Sequence, residues 1–192
     1  MVLTMTVWML FQESRSAISM SKKDDNYTKT KRLVLTSFIF AMALVLSYIE
    51  DSLPPIMAAV PGVKFGLSNI AVMYALFFLG RKVAFSIAAL KSFFVFIMRG
   101  FVAALLSFCG GMLSLTVMLL LIYIFKDKIS YLLVSVCGAV FHNIGQFIAI
   151  SIIYSNLFLW VYLPILLVSG VFAGIVTAVL LRFILPALKK LV

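Results

Sequence analysis

The 192-residue chain is predicted to be an all-α membrane protein, a bundle of six transmembrane helices with both termini in the cytoplasm. Three observations predict it. Hydrophobic residues make up 65% of the sequence and charged residues 11%, against about 45–50% and about 25% in soluble domains, and the mean hydropathy is +1.21. The apolar residues arrive in long uncharged runs, whose natural solvent is lipid. The basic residues stand between those runs, and alternate gaps collect nearly all of them. The net charge of +10 therefore reads as membrane topology; no interleaved basic and aromatic surface suggests nucleic acid as a partner.

Residues 1–30 are expected to be a disordered cytoplasmic tail. The weak apolar stretch Val2 to Phe11 has neither a basic segment before it nor a small-residue cleavage site after it. Met20 offers a second start, so residues 1–19 are either an extension or a gene-start artefact. Residues 31–192 form the membrane domain.

A crossing helix needs about 20 apolar residues, with a range of about 17–25. Leu33 to Ile49 is the first such run, uncharged between Lys31-Arg32 and Glu50-Asp51. Phe65 to Leu79 is short and stops at Gly80-Arg81-Lys82. Val83 to Met98 is also short and is interrupted by Lys91. Phe101 to Phe125, Ile129 to Ile153 and Leu157 to Leu181 are full-length and carry no Asp, Glu, Lys or Arg. With six spans and the N-terminus inside, the cytoplasmic side holds Lys22, Lys23, Lys29, Lys31, Arg32, Arg81, Lys82, Lys126, Lys128, Arg182, Lys189 and Lys190, and the outside only Lys64 and Arg99. Removing either short span would put later basic clusters on the wrong side, so the positive-inside rule retains both.

The external connection Glu50 to Lys64 carries Pro54, Pro55, Pro61 and Gly62 among apolar residues, which suggests a structured loop, either a lid or a rigid turn. Small residues recur at spacing four in the first span (Ser37 and Ala41; Ala43 and Ser47). They recur again in the last (Gly170, Gly174 and Ala178; Ser169, Ala173 and Thr177). Such stripes serve either packing within the bundle or docking of a partner helix.

The candidate binding residues are polar groups inside the spans. A lysine at mid-bilayer costs about 2.5–3.5 kcal/mol, so Lys91 should face protein or a wet cavity. Arg99 lies on the same face, two steps of four further along and about 12 Å away. Together they suit an anionic group, with Lys64 and Asn69 near the mouth. Pairing of Lys91 with a helix C-terminus or a tyrosine hydroxyl is the structural alternative. The fifth span holds Gly138, His142, Asn143, Gly145 and Gln146 in an otherwise apolar run, and such a stripe either lines a site or bonds another helix.

Catalytic machinery is not evident. The acids Glu13, Asp24, Asp25, Glu50, Asp51 and Asp127 all lie in tails or loops, and there is no zincin helix, phosphate-binding loop or nucleophile elbow. Cys109 and Cys137 sit in apolar runs with one histidine in the chain, so neither a metal site nor a disulfide framework is expected. No enzyme activity and no cofactor are expected.

Four blocks carry a family resemblance: Pro61-Gly-Val-Lys-Phe-Gly-Leu-Ser-Asn69, Leu106-Ser-Phe-Cys-Gly-Gly-Met-Leu-Ser114, Gly138-Ala-Val-Phe-His-Asn-Ile-Gly-Gln146 and Tyr162-Leu-Pro-Ile-Leu-Leu-Val-Ser-Gly170. In order across residues 33–185, they resemble the Gx transporters, a family also called heptaprenyl diphosphate synthase component I. The resemblance implies a relative of the substrate-binding S-components of energy-coupling factor (ECF) transporters in the bacterial cytoplasmic membrane. It implies a small-molecule ligand, phosphorylated, flavin-related or isoprenoid-related, bound near the outer face. Ser37, Ala41, Ala43 and Ser47 would then meet a coupling subunit that works with ATPases. The older name implies instead a non-catalytic subunit of a polyprenyl diphosphate synthase, and a third context is flavin- and quinone-based extracellular electron transfer.

Overall fold

The computed structural model of the chain describes residues 29–50, 52, 66–125, 129–154 and 159–189. Contacts divide the chain into two compact units, residues 1–37 and 38–192. Among the described residues the first contributes only the opening turns of one helix, and the second holds everything else. The tail before Lys29 and the proline-rich connection from Pro54 to Gly62 lie outside the described residues.

Among the described residues six helical segments follow in order, as the hydropathy pattern predicts. They are α1 (Lys29–Glu50), α2 (Leu67–Tyr74), α3 (Arg81–Arg99), α4 (Phe101–Phe125), α5 (Tyr131–Tyr154) and α6 (Leu159–Lys189). α2 continues as a π-helical turn over Ala75–Leu79. Lys29–Glu50, Phe101–Phe125, Tyr131–Tyr154 and, within α6, Leu163–Ile184 are each long and apolar enough to cross a bilayer. α3 has the length but carries Arg81, Lys82, Lys91 and Arg99. The chain is a multi-pass membrane protein, and its outward side chains fit lipid: Phe183 is 77% exposed and Ile152 75%.

α2 is different. With its π turn it covers Leu67–Leu79, about 20 Å at the helical rise, well short of a hydrocarbon core of about 30 Å. It is also buried around its circumference, since Ile70, Ala71, Val72, Met73, Tyr74 and Ala75 are all inaccessible or nearly so. A short apolar helix is thus enclosed by longer ones, against α3 and α6. Its far end leads through Gly80, whose φ of 100° few side chains tolerate, directly into α3.

Glycine sets the helix spacing elsewhere in the bundle. A Cβ on Gly145 would stand 2.8 Å from the Cys109 carbonyl oxygen, and one on Gly174 2.5 Å from Val136 Cα. The backbones of α4 and α5, and of α5 and α6, therefore approach as closely as small residues permit. Ser135 Oγ donates to the Gly174 carbonyl at 2.8 Å. The Gly170 and Gly174 stripe is consumed within the chain, as internal packing.

Candidate functional site

The later halves of α1, α3 and α5 and the opening turns of α2, α4 and α6 meet at one end of the bundle, where they line a half-open cavity of about 180 Å³. Its walls differ in chemistry. α1, α2 and α3 contribute Ser47, Glu50, Ser68, Lys91, Val95 and Arg99. α4, α5 and α6 contribute Ala103, Leu106, Ser107, Gln146, Phe147, Ile150 and Leu166.

Lys91 is 8% exposed, and its Nζ donates to Asn69 Oδ1 at 3.1 Å. Asn69 stands in the first turn of α2, where its own backbone N–H bonds the Gly66 carbonyl at 2.9 Å. The short second helix thus begins at the depth of the buried lysine. Arg99, at the end of α3, is exposed and lines the same cavity.

Glu50 is buried to the same degree as Lys91. Its Oε1 accepts the backbone N–H of Gly66, the residue that precedes α2 with φ 72°. Thr177 Oγ1 of α6 donates to the Gly66 carbonyl at 3.4 Å. A helix start leaves backbone donors that lipid cannot satisfy, so the carboxylate both serves that start and charges the cavity wall.

Beyond the lysine, Ser92 Oγ bonds the Ala88 carbonyl at 3.0 Å and Ser107 Oγ at 3.3 Å, joining α3 to α4. Gln146 Nε2 and His142 Nε2 are 3.1 Å apart, one turn from each other on α5. Gly110 makes room for the pair: a Cβ there would fall 2.9 Å from Gln146 Cγ and 3.0 Å from His142 Cε1.

Of the residues expected from sequence, Lys91, Arg99 and Gln146 line the cavity, Asn69 holds Lys91, and His142 contacts Gln146. Asn143 is turned elsewhere. Its Nδ2 donates to the Leu166 carbonyl at 2.8 Å and to Ser169 Oγ at 3.3 Å, so it fastens α5 to α6. Lys64 lies outside the described residues. The four small residues of α1 do not share a face: Ser37 and Ala41 are exposed, whereas Ala43 is fully buried and Ser47 lines the cavity. Two pairs spaced by four, offset from each other by six, point about 120° apart on a helix of 3.6 residues per turn.

Sequence reading missed Glu50, Ser68, Ser107 and the apolar lining. Glu50 carried a signal, as the acid that directly ends an apolar run. Phe147, Ile150 and Leu166 carried none, because an apolar residue facing a cavity is indistinguishable in sequence from one facing lipid.

The structure is similar to that of the S component of a bacterial ECF transporter, with a TM-score of 0.58 and 22% identity over 84% of this chain and 97% of that one. At that identity the likeness establishes the fold. No curated protein matches the sequence. The model of the heptaprenyl diphosphate synthase component I family matches residues 39–184, nearly the whole six-helix domain, and the chain belongs to that family.

Proposed function

We propose that the chain is a substrate-binding membrane protein of the S-component kind, which receives a small anionic molecule from the outer side of the cell membrane. The observation that carries this reading is a lysine buried at mid-helix in a cavity that Arg99 also lines. A buried ammonium in a membrane domain is costly and marks a ligand or ion path by default. The positive-inside rule assigns the Arg99 end of the bundle to the outside, and the neighbouring fold is that of a transporter component. Ligand capture would precede transfer driven by a coupling subunit and its ATPases. The role is non-catalytic.

Native mass spectrometry of the protein extracted in mild detergent tests this directly. A co-purified anionic molecule, lost in Lys91→Ala together with its cellular uptake, is the expected result. Absence of any bound molecule, with uptake unaltered by the substitution, would refute it.

The family name favours a second reading, a non-catalytic membrane subunit of a polyprenyl diphosphate synthase. Affinity capture separates the two. An ATPase with a coupling subunit supports transport, and a prenyl synthase supports the second role.

A further inference from the structure

Away from the cavity, α5 and α6 leave a second recess between them, and its walls suit a lipid. Around Gly174 the two backbones touch: Ser135 Oγ donates to the Gly174 carbonyl at 2.8 Å, and a Cβ on Gly174 would stand 2.5 Å from Val136 Cα. One turn further toward the Ser130 end, where small Ala178 replaces glycine, a groove of about 480 Å³ opens between them. It shares no described lining residue with the cavity. Buried Ala178 and Leu181 form its floor, and exposed Leu132 and Val179 flank it.

Three polar side chains stand at the rim nearest the end of the bundle. Ser130 precedes α5, Tyr131 begins it, and Arg182 lies one turn of α6 beyond Ala178. The Tyr131 ring is held edge-on against Phe77 of the π turn, centroids 4.9 Å apart. Ser130 Oγ accepts the Leu133 N–H at 3.2 Å, so its hydroxyl hydrogen can serve a different acceptor. The Arg182 side chain is exposed. With Lys126 and Lys128 preceding Ser130 in sequence, the positive-inside rule assigns this end to the cytoplasmic side.

We propose that the groove is a phospholipid site of the cytoplasmic leaflet, in which Arg182, Ser130 and Tyr131 bond the headgroup phosphate and an acyl chain begins over Ala178, Leu132 and Val179. Lipid is the solvent of an outward face between spanning helices, so a lipid is the molecule always at hand to fill an apolar groove there. The polar rim then selects the headgroup. A guanidinium presents paired N–H donors at the spacing of phosphate oxygens, and basic pockets between spanning helices on the cytoplasmic side take lipid headgroups. Tyr131 suits the same level, with its ring toward lipid and its hydroxyl toward the headgroups. Hydrogen-bond donors rather than net charge make the selection, so a lipid without the phosphate should bind less tightly.

Native mass spectrometry of the full chain, delipidated in detergent and titrated with single lipids, tests this. Dioleoylphosphatidylglycerol and dioleoylglycerol share both acyl chains and differ by the phosphate-bearing headgroup. The first is expected to bind about tenfold or more tighter. Arg182→Gln should remove that advantage and leave dioleoylglycerol binding as it was. Tyr131→Phe, which keeps the ring against Phe77, should reduce the advantage about threefold or more. Arg81→Gln, at an exposed arginine that opens α3, should change nothing. Equal binding of the two lipids, or an advantage left intact by Arg182→Gln or by Tyr131→Phe, would overturn the site. An equal loss in Arg81→Gln would mark a general surface-charge effect and overturn it as well. Displacement of the lipid by millimolar inorganic phosphate would assign the rim to a soluble phosphate and overturn the lipid as its occupant.

Discussion

Lys91 Nζ and Asn69 Oδ1 are 3.1 Å apart, and this contact fixes the start of the second helix at the level of the middle of the third. A buried lysine is thereby given a neutral oxygen partner while it remains on the cavity wall. The same side chain thus serves both the start of α2 and the cavity wall.

The substitution Lys91→Met should therefore separate stability from binding. Removing the ammonium relieves about 2.5–3.5 kcal/mol of mid-membrane cost, and depriving Asn69 of its donor costs about 1–3 kcal/mol. The two nearly cancel, so the thermal unfolding midpoint should move little. Ligand affinity should fall by about tenfold or more, as expected for loss of a charge-assisted contact. Parallel thermal scans and ligand titrations measure both, and a collapse of folding with affinity preserved would contradict the assignment.

Glu50 should respond to two substitutions in different ways. Glu50→Ala leaves the Gly66 N–H without its acceptor at a depth where water is scarce, a loss of about 1–3 kcal/mol. Glu50→Gln retains the acceptor and should stay within about 1 kcal/mol of the parent. Chemical unfolding in mixed micelles gives the ranking, and equal losses would mean that Gly66 finds another partner.

Much of this bundle is legible in the sequence, and the exceptions have physical causes. α4 occupies the expected run Phe101–Phe125 because its boundaries are a glycine before it and a basic cluster after it. The other spans shift by a few residues at most, apart from α6, which runs on to Lys189, beyond the apolar run ending at Leu181. The π turn at Ala75–Leu79 leaves no mark, since its residues are as apolar as those of the helix before it. Lys91 was legible because charge is rare in lipid. Asn143 and Gln146 were equally conspicuous, yet one bonds α6 and the other lines the cavity. Hydropathy detects a polar residue in a span without telling which neighbour it meets.

Glycine substitutions should rank by what the added methyl meets. In Gly145→Ala and Gly174→Ala it collides with backbone at 2.8 Å and 2.5 Å, and backbone of a packed helix cannot step aside. Each should cost about 1–3 kcal/mol. In Gly111→Ala the nearest contact is Ala88 Cβ at 3.8 Å, an ordinary separation, and a gain in helix propensity of up to about 1 kcal/mol should offset any crowding. Unfolding of the three variants in one detergent tests the order, and a destabilised Gly111→Ala would show that the helix pairs close differently.

The orientation of the cavity is the last requirement of an uptake role, and it can be tested independently of any ligand. Phe101, 67% exposed at the start of α4, marks the cavity end, and Ser130, just before α5, marks the other. In a chain with Cys109→Ala and Cys137→Ala, a cysteine at Phe101 should react with a membrane-impermeant maleimide on intact cells. A cysteine at Ser130 should react only after permeabilisation. The basis is Arg182 beside Ser130 at that end and the basic residues Lys126 and Lys128 that precede Ser130 in sequence, because short cytoplasmic segments retain positive charge. The reverse labelling pattern would open the cavity to the cytoplasm, where it could not capture an external molecule, and would leave partnership with a cytoplasmic synthase as the better reading of the same residues.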